Sequence, residues 1–354
     1  MFLVFFGTLY QAEHGLYLAQ KKFFDSLIIV DGFLILPGAV LIMCIAFINL
    51  SAFLCFKFKY SWAKSGIFII HLGLMSLLLG GFYTLYFSKE SLISLREGEQ
   101  SNLSTDYYKW QLRVIKESTK NGAKSINEIL IPFDLDSKNI NPESIKALKK
   151  ALPQLNLEKY YPNGRVFETP FAGTIPKELE LNKEFEQNTP LFIFSDSETQ
   201  EKVYLDNFDY RVLTYEKRVG EEKKTETIQI SLDRVSSELP VIIRLEDVRR
   251  ELHPNTQVAK AYASTISVLE EGSNKFRKVE ISMNKPFRYK DYTFYQASYG
   301  VDTDGVEFSS LAVVKNAGRL VPYISSLLTV LGLTIHFLMH FLKFIKYQKT
   351  ELTS

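Results

Sequence analysis

Hydrophobic residues are gathered into long uncharged runs near both ends of the chain, and a polar, charged stretch of about 230 residues separates them. The runs cover residues 36–56, 66–87 and 320–342. At about 1.5 Å per residue, a helix of this length crosses the apolar core of a bilayer, which is about 30 Å thick. The pattern therefore predicts a membrane protein with three full transmembrane α-helices.

Short stretches rich in lysine adjoin these runs. They lie in the short connection between the first two runs and directly after the third run, at Lys57, Lys59, Lys64, Lys343, Lys346 and Lys349. Short basic flanks stay in the cytoplasm under the positive-inside rule. Three crossings then place residues 1–35 and 90–319 on the outer face, and the two assignments agree.

The chain divides into four predicted parts on this basis. Residues 1–35 are a partial first transmembrane helix and an outer amphipathic segment, and residues 36–89 are two transmembrane helices with a short basic cytoplasmic loop. Residues 90–319 form an extracytoplasmic domain. Residues 320–354 are the final transmembrane helix and a basic cytoplasmic tail.

The first ten residues are apolar but span only about 15 Å as a helix, half of a bilayer. We interpret them as the outer half of another transmembrane helix whose start is missing, which would give four spans. The alternative is an interfacial anchor.

The polar region favours strands. Residues 225–232 alternate apolar and polar side chains, and residues 276–283 and 291–299 are rich in β-branched and aromatic residues. One helix is expected after Asn141, with Asn141 as its N-cap and Pro142 in its first turn. The fold class is therefore transmembrane α-helices flanking a large β-rich (α+β) extracytoplasmic domain.

Composition excludes several classes of protein. The formal net charge is only +2, with 42 Lys+Arg against 40 Asp+Glu, and no basic cluster indicates a nucleic-acid partner. The mean hydropathy of −0.03 averages the apolar runs with the charged domain. Two cysteines, Cys44 and Cys55, exclude a disulfide scaffold and a cysteine-ligated zinc site. No CxxCH motif for covalent haem attachment is present.

The candidate chemistry lies in the histidines, because His71, His336 and His340, three of the five, fall inside the predicted spans. Ionisable side chains inside a bilayer are costly and usually functional. The i,i+4 spacing puts His336 and His340 on one helix face. Each of the three is a candidate axial ligand of haem iron, with a hydrogen bond to a neighbouring helix as the alternative for His71 and simple solvation as the alternative for His340.

Helical position distinguishes His71 further. Gly66, Gly73, Gly80 and Thr84 form a stripe of small residues suited to close helix packing, and His71 points away from that stripe. One face could then dock a neighbouring helix while the other presents the imidazole to a cofactor or partner.

The two remaining histidines are weaker candidates. His14 belongs to an aromatic-rich outer segment and reads as a surface residue, with contact to an outer ligand as the alternative, and His253 precedes a proline in a turn. The polar domain shows no Ser/His/Asp order, no nucleophile elbow and no phosphate-binding glycine loop, so no catalytic residues are identified.

Several segments together resemble the ResB (CcsB) family of System II cytochrome c biogenesis. They are GTLYQAEHGLYLAQKKFFDS at 7–26, the histidine-containing IFIIHLGLMSLLLGG at 67–81, SLREGE at 94–99 and PFRYKDYTFYQASYG at 286–300. The resemblance covers both ends of the chain and leaves about 100–280 without a counterpart.

This resemblance implies a bacterial cytoplasmic-membrane subunit that moves or holds haem b for ligation to apocytochrome c on the outer face. Its partner would be a CcsA/ResC-like membrane protein, and the chain itself a non-catalytic subunit of a holocytochrome c synthase complex. In the family, a histidine at the position of His71 is proposed to ligate haem; His336 and His340 match no family site. The alternatives are a structural membrane scaffold with an outer interaction domain and a b-haem electron-transfer subunit.

Overall fold

The computed structural model describes residues 1–32, 34–120, 123–135, 140–169, 173–206, 210–219, 222–254, 256 and 259–351. The helices are α1 (Phe2–His14), α2 (Leu16–Ala19), α3 (Ala39–Ala52), α4 (Ser65–Phe87), α5 (Pro142–Ala151) and α6 (Val321–Glu351). Two π-helical turns extend α2 and α3, at Gln20–Phe24 and Phe53–Lys57. Short 3-10 turns lie at Trp62–Lys64, Phe185–Gln187 and Ala317–Leu320.

In the described residues, three helical segments are long and apolar enough to cross a membrane: Ala39–Lys57, Trp62–Phe87 and Ala317–Ile345. They confirm the three apolar helices that the sequence predicts. Two boundaries differ from the prediction. The first helix begins at Ala39 because residues up to Pro37 form a strand, and α6 continues through the lysines that were expected to form a tail.

The first ten residues lie in a helix, α1, which ends at His14 before Gly15. Gly15 has a φ of 86°, a left-handed conformation that favours glycine and interrupts the helical run between α1 and α2. The choice between a partial span and an interfacial anchor remains a prediction.

The strands are β1 (Ile28–Asp31), β2 (Leu34–Pro37), β3 (Lys89–Arg96), β4 (Gln100–Lys120), β5 (Ala123–Asp134), β6 (Leu155–Tyr161), β7 (Gly164–Thr169), β8 (Gly173–Glu178), β9 (Leu191–Asp196), β10 (Lys202–Leu205), β11 (Arg211–Val219), β12 (Glu222–Leu252), β13 (Ala259–Glu270), β14 (Arg277–Ser282), β15 (Phe287–Tyr289), β16 (Tyr292–Val301) and β17 (Glu307–Lys315). The three predicted strand segments fall in β12, β14 and β16, so the β-rich character of the polar region is confirmed.

The chain divides into two compact units. The helical unit comprises Met1–Glu90, Glu280–Gln296 and Ala312–Ser354, and the β-rich unit comprises Ser91–Val279 and Ala297–Leu311. In the helical unit, β15 and β16 form an antiparallel hairpin, and the backbone N–H of Asn316 donates to the carbonyl of Asp291 at 2.9 Å. Asn316 Nδ2 lies 3.4 Å from the Thr84 hydroxyl near the end of α4.

Two long strands, β4 and β12, organise the β-rich unit. They pair antiparallel with each other, while β11 and β13 pair with β12 and β5 pairs with β4. The β12–β4 register shifts between Glu238 and Ile243, a stretch that contains Pro240. Proline has no backbone N–H to donate, so it is tolerated at an interruption of the ladder.

Trp110 on β4 is fully buried in the β-rich unit. The guanidinium of Arg234 on β12 lies 4.7 Å from the centre of its ring and donates to the carbonyls of Tyr107 and Glu186. A partly buried cation needs such partners, because an unpaired charge away from water is destabilising. The arrangement ties β4 and β12 to the turn that contains Glu186.

The helix predicted after Asn141 is confirmed as α5. The side chain of Asn141 accepts a hydrogen bond from the backbone N–H of Glu143 at 3.0 Å, and Pro142 occupies the first helical position. The cap satisfies a backbone donor that the first turn leaves free.

Candidate functional site

The glycines of α4 form a contact surface for α6. A Cβ built on Gly66 would lie 2.6 Å from the backbone nitrogen of His336, and one on Gly73 would lie 2.4 Å from the Thr329 hydroxyl. Gly332 contributes the reciprocal approach, because its Cβ would lie 2.7 Å from the backbone nitrogen of Ile70. The two helix backbones are therefore closer than any side chain would permit. The packing role expected for the small-residue stripe is confirmed.

His71 lies on the opposite face of α4, rotated by roughly 160° from the glycine stripe at 3.6 residues per turn. Its ring stacks on Phe53, with ring centres 4.8 Å apart and planes inclined by 19°. Phe53 begins the π-helical turn that ends the first candidate span. The imidazole is half-buried, so it is held by a neighbour without being enclosed.

The hydrogen bond of the His71 ring defines what its other nitrogen can do. Nδ1 lies 2.8 Å from the carbonyl oxygen of Ile67, one helical turn earlier. A carbonyl oxygen can only accept, so Nδ1 carries the proton. The neutral imidazole then has its lone pair on Nε2, which is the form that binds a metal ion. The hydrogen bond also fixes the orientation of the ring.

An aromatic cluster extends from Phe53, whose ring centre lies 6.0 Å from that of Phe58. It consists of Phe53, Phe58, Tyr60 and Phe68, with Phe58 stacked on Phe68 at 5.9 Å and Tyr60 packed edge-on against Phe68 at 5.9 Å. Flat apolar side chains of this kind suit contact with a planar apolar ring system. His71 is the member of this neighbourhood that can ligate iron.

His336 and His340 form a second histidine group, on α6. Their rings are 4.6 Å apart and inclined by 60°, as their i,i+4 spacing predicts. Nδ1 of His336 is buried and has no hydrogen-bond partner among the described residues, whereas His340 is exposed. His340 lines a shallow open recess with Thr334, Phe337, Leu338, Phe341 and Phe344.

His71 on α4 and the histidine pair on α6 lie on different sides of α4. The backbone of His336 packs against Gly66, on the glycine face of α4, and His71 occupies the other face. A site that uses His71 and a site that uses the α6 pair would therefore be separate.

The remaining histidines have local partners. The ring of His14 stacks on Tyr10 with centres 4.0 Å apart, and its Nδ1 lies 3.3 Å from the Tyr10 carbonyl oxygen. His253 begins a turn in which its carbonyl accepts from the backbone N–H of Thr256 at 3.1 Å. Part of the predicted turn, residues 255 and 257, lies outside the described residues.

A haem would require fewer protein ligands at His71 than a bare metal ion would. Within the described residues, no group of three or more His, Cys, Asp or Glu side chains could hold a metal ion. A porphyrin brings four nitrogens of its own, so its iron needs only axial ligands from protein. One oriented imidazole beside aromatic side chains could supply one of these ligands.

Sequence reasoning missed two features of these sites. The stacking of Phe53 on His71 depends on which helix lies beside α4, and spacing within one helix does not contain that information. The burial of His336 Nδ1 without a hydrogen-bond partner among the described residues is equally a tertiary property.

The comparison with known families agrees with the architecture of membrane helices and a β-rich region. Residues 206–307 match the ResB-like family. The matched stretch runs from β11 in the β-rich unit to the start of β17 and includes the segment 286–300. The resemblance to the ResB family is thereby confirmed, in a part of the chain that lies mostly outside the segments from which it was first identified.

A curated relative extends the similarity along the chain. Protein NrfI of Wolinella succinogenes is 23% identical over 273 residues, which make up 75% of this chain and 26% of the relative. The chain therefore spans about a quarter of the length of the curated relative it matches.

Proposed function

We propose that this chain is a membrane subunit of a System II cytochrome c biogenesis complex, which holds or moves haem for attachment to apocytochrome c. The ResB-like match and the similarity to NrfI support the family assignment. The observation that carries the proposal is the oriented His71 imidazole, on the face of a candidate membrane helix that α6 leaves open.

Haem is the cargo in this proposal. Nε2 of His71 would bind the iron, and the Nδ1 hydrogen bond to Ile67 would keep the ring in the binding orientation. The aromatic cluster would contact the porphyrin face and exclude water from it. A CcsA/ResC-like partner would supply the opposite axial ligand and the surface on which apocytochrome c receives the haem.

The β-rich unit is assigned to the outer face of the bacterial cytoplasmic membrane. The lysines at 57, 59 and 64 support this orientation, because they lie at the far ends of α3 and α4 from the polar region. The thiols for haem attachment would come from apocytochrome c. Cys44 lies within α3 and Cys55 in the π-helical turn that follows it, so both belong to a candidate span.

The α6 pair is a second candidate haem contact. The exposed ring of His340, whose centre lies 4.6 Å from that of the His336 ring, supports this role. The haem that copurifies with His71→Gly is compared with the haem that copurifies with the double variant His336→Leu/His340→Leu. The variant that loses haem identifies the residues that contact it.

A maturation assay separates this function from the alternatives. In a host that lacks the gene for this chain, we expect membrane c-type cytochromes to lose covalent haem while b-type cytochromes keep theirs. Wild-type chain and His253→Gly, which removes a histidine of the β-rich unit, should restore maturation, and His71→Gly should not. Normal c-type cytochromes in the deletion strain would contradict the proposal, and selective loss of a b-haem signal would favour an electron-transfer subunit.

A further inference from the structure

The connection between the N-terminal helices and α3 is a β-hairpin with two different faces. In the register of β1 and β2, Ile28 pairs with Pro37 and Val30 pairs with Ile35, so these four side chains share one face. All four are exposed, with Val30 at 64% and Ile35 at 70%. Ile29, on the opposite face, is 2% exposed.

More exposed apolar residues precede the hairpin in the chain. Leu27 directly before β1 and Phe24 in the preceding π-helical turn are also exposed. Exposed apolar residues that cluster in this way mark an interaction surface, whereas scattered ones need no explanation. Among the described residues of the helical unit, none covers the side chains of Val30 and Ile35.

The hairpin is fixed to the start of a candidate membrane span. The backbone N–H of Gly38 donates to the carbonyl of Leu27 at 2.8 Å, and α3 begins at the next residue. A Cβ on Gly38 would lie 2.1 Å from the carbonyl oxygen of Ser26, so only glycine permits this approach. The apolar face therefore lies at the first residue of α3 and cannot move far from it.

Two lysines border the same segment. Lys21 is exposed, and the ammonium of Lys22 lies 4.4 Å from the centre of the Tyr10 ring. Lysines and aromatic rings beside an apolar surface are typical of the boundary between lipid and water, where ammonium groups meet lipid phosphates.

The backbone limits how deep the hairpin can lie. In the part of the chain that the structure describes, it forms a sheet of two strands, and each strand has one edge without a sheet partner. Open strand edges are not tolerated in the hydrocarbon core, where no water can satisfy them. The headgroup and glycerol layer provides both water and apolar contact.

We propose that the β1–β2 hairpin is a membrane-interface anchor, which inserts Ile28, Val30, Ile35 and Pro37 into the headgroup layer of the leaflet at the start of α3. The anchor would fix the tilt and rotation of α3, and with it the position of Phe53 at the other end of the span. This role rests on the membrane spans and is independent of haem binding.

Spin-label accessibility tests the anchor. Full-length protein with Cys44→Ala and Cys55→Ala is reconstituted into phosphatidylcholine–phosphatidylglycerol vesicles, with one new cysteine labelled at Val30→Cys. The matched control is Val212→Cys, on β11, where valine is 52% exposed. We expect the Val30 label to collide preferentially with oxygen, which partitions into lipid, and the Val212 label to collide preferentially with a water-soluble nickel chelate.

Each other outcome overturns the proposal. Equal nickel access at Val30 and Val212 means that the hairpin face lies in water. Low access to both reagents means a protein contact, and spin–spin broadening in that case identifies a second copy of the chain. Ile35→Cys provides a second labelling position on the same face if Val30→Cys does not fold.

Discussion

The membrane helices and the β-rich unit satisfy their polar side chains in different ways. In the helices, hydroxyl groups donate to the carbonyl one turn earlier, as Thr329 does to Ser325 at 2.9 Å and Thr334 to Val330 at 2.9 Å. In the β-rich unit, polar side chains pair with each other across long sequence distances, as Ser264 and Ser309 do at 2.8 Å.

This difference follows from the surroundings. A helix that faces lipid has no water to satisfy a polar group, so a bond to its own backbone leaves the outer face apolar. A sheet core joins distant segments, and a bond between side chains there also fixes which segments pair. In the helices, the interaction between segments comes instead from close packing at glycine.

His71 follows the helical pattern with one nitrogen only. Its Nδ1 donates within α4, whereas Nε2 has no hydrogen bond among the described residues, and the ring lies on the face of α4 opposite the glycines that pack on α6. Helix α4 therefore has two different faces: the glycine face packs on α6, and the opposite face carries the His71 imidazole. Substitutions on the two faces should have different consequences.

The largest effect is expected at the structural face. Gly66→Leu would place side-chain carbons against the backbone of His336 and Gly332, which cannot move aside without separating α4 from α6. We expect a loss of about 3 kcal/mol in the free energy of unfolding, the upper end for overpacking, measured as a large fall of Tm in detergent. Gly81→Ala is the control, because its Cβ would meet only the flexible end of Met43 at 3.0 Å. A Tm of Gly66→Leu equal to that of Gly81→Ala would contradict the helix contact.

An intermediate effect is expected at a buried pair in the β-rich unit. The Tyr215 hydroxyl donates to the Asp196 carboxylate at 2.6 Å. Burial alone would raise the pKa of Asp196, but the Tyr215 hydroxyl and the backbone N–H groups of Glu198 and Thr199 lower it below its ordinary value of 3.8. At neutral pH, Tyr215→Phe should cost about 1.5–3 kcal/mol, the range for a hydrogen bond to a charged group.

The pH dependence of that pair has a defined sign. Because the folded pKa is lowered, the stabilisation is fully present above the unfolded pKa of 3.8 and is lost as the pH falls through the folded pKa. The Tm difference between wild type and Tyr215→Phe should therefore be constant near neutral pH and shrink below pH 3.8. A difference that grows on acidification would contradict this account.

The smallest effect is expected for a locally satisfied hydroxyl in the helices. Thr334→Val keeps the shape of an exposed side chain and removes the bond to the Val330 carbonyl, which also accepts within the helix. Hydrogen bonds between side chains in membrane helices average about 0.6 kcal/mol, so the change in unfolding free energy should stay below about 1 kcal/mol. A loss of Tm comparable to that of Gly66→Leu would show that the hydroxyl joins helices.

Much of the fold was predictable where the signal is local. Uncharged runs indicate the three apolar helices, Asn141 and Pro142 indicate the start of α5, and the alternation at 225–232 indicates a strand. Which strands pair with each other was harder to predict, because the pairing of β4 with β12 joins residues more than one hundred positions apart. The β1–β2 hairpin was missed because Leu34–Pro37 continues into the uncharged run that becomes α3.

The candidate site divides in the same way. The 3.6-residue period puts the glycines and His71 on opposite faces of α4, and the structure has them there. The period does not indicate that α6 packs on the glycines, nor that Phe53 packs on the imidazole. Those contacts depend on which of the three helices pack against each other. Shape complementarity between segments distant in sequence determines this packing.

Haem binding by His71 is the central claim, and imidazole rescue tests it most directly. The chain is purified with its membrane partner as wild type, His71→Gly and His253→Gly, and the haem absorption spectrum is recorded with and without added imidazole. We predict that His71→Gly alone loses the haem signal, and that imidazole, which can occupy the space left by the side chain, restores both the spectrum and cytochrome c maturation. Equal haem content and an identical spectrum in His71→Gly and wild type would contradict the claim.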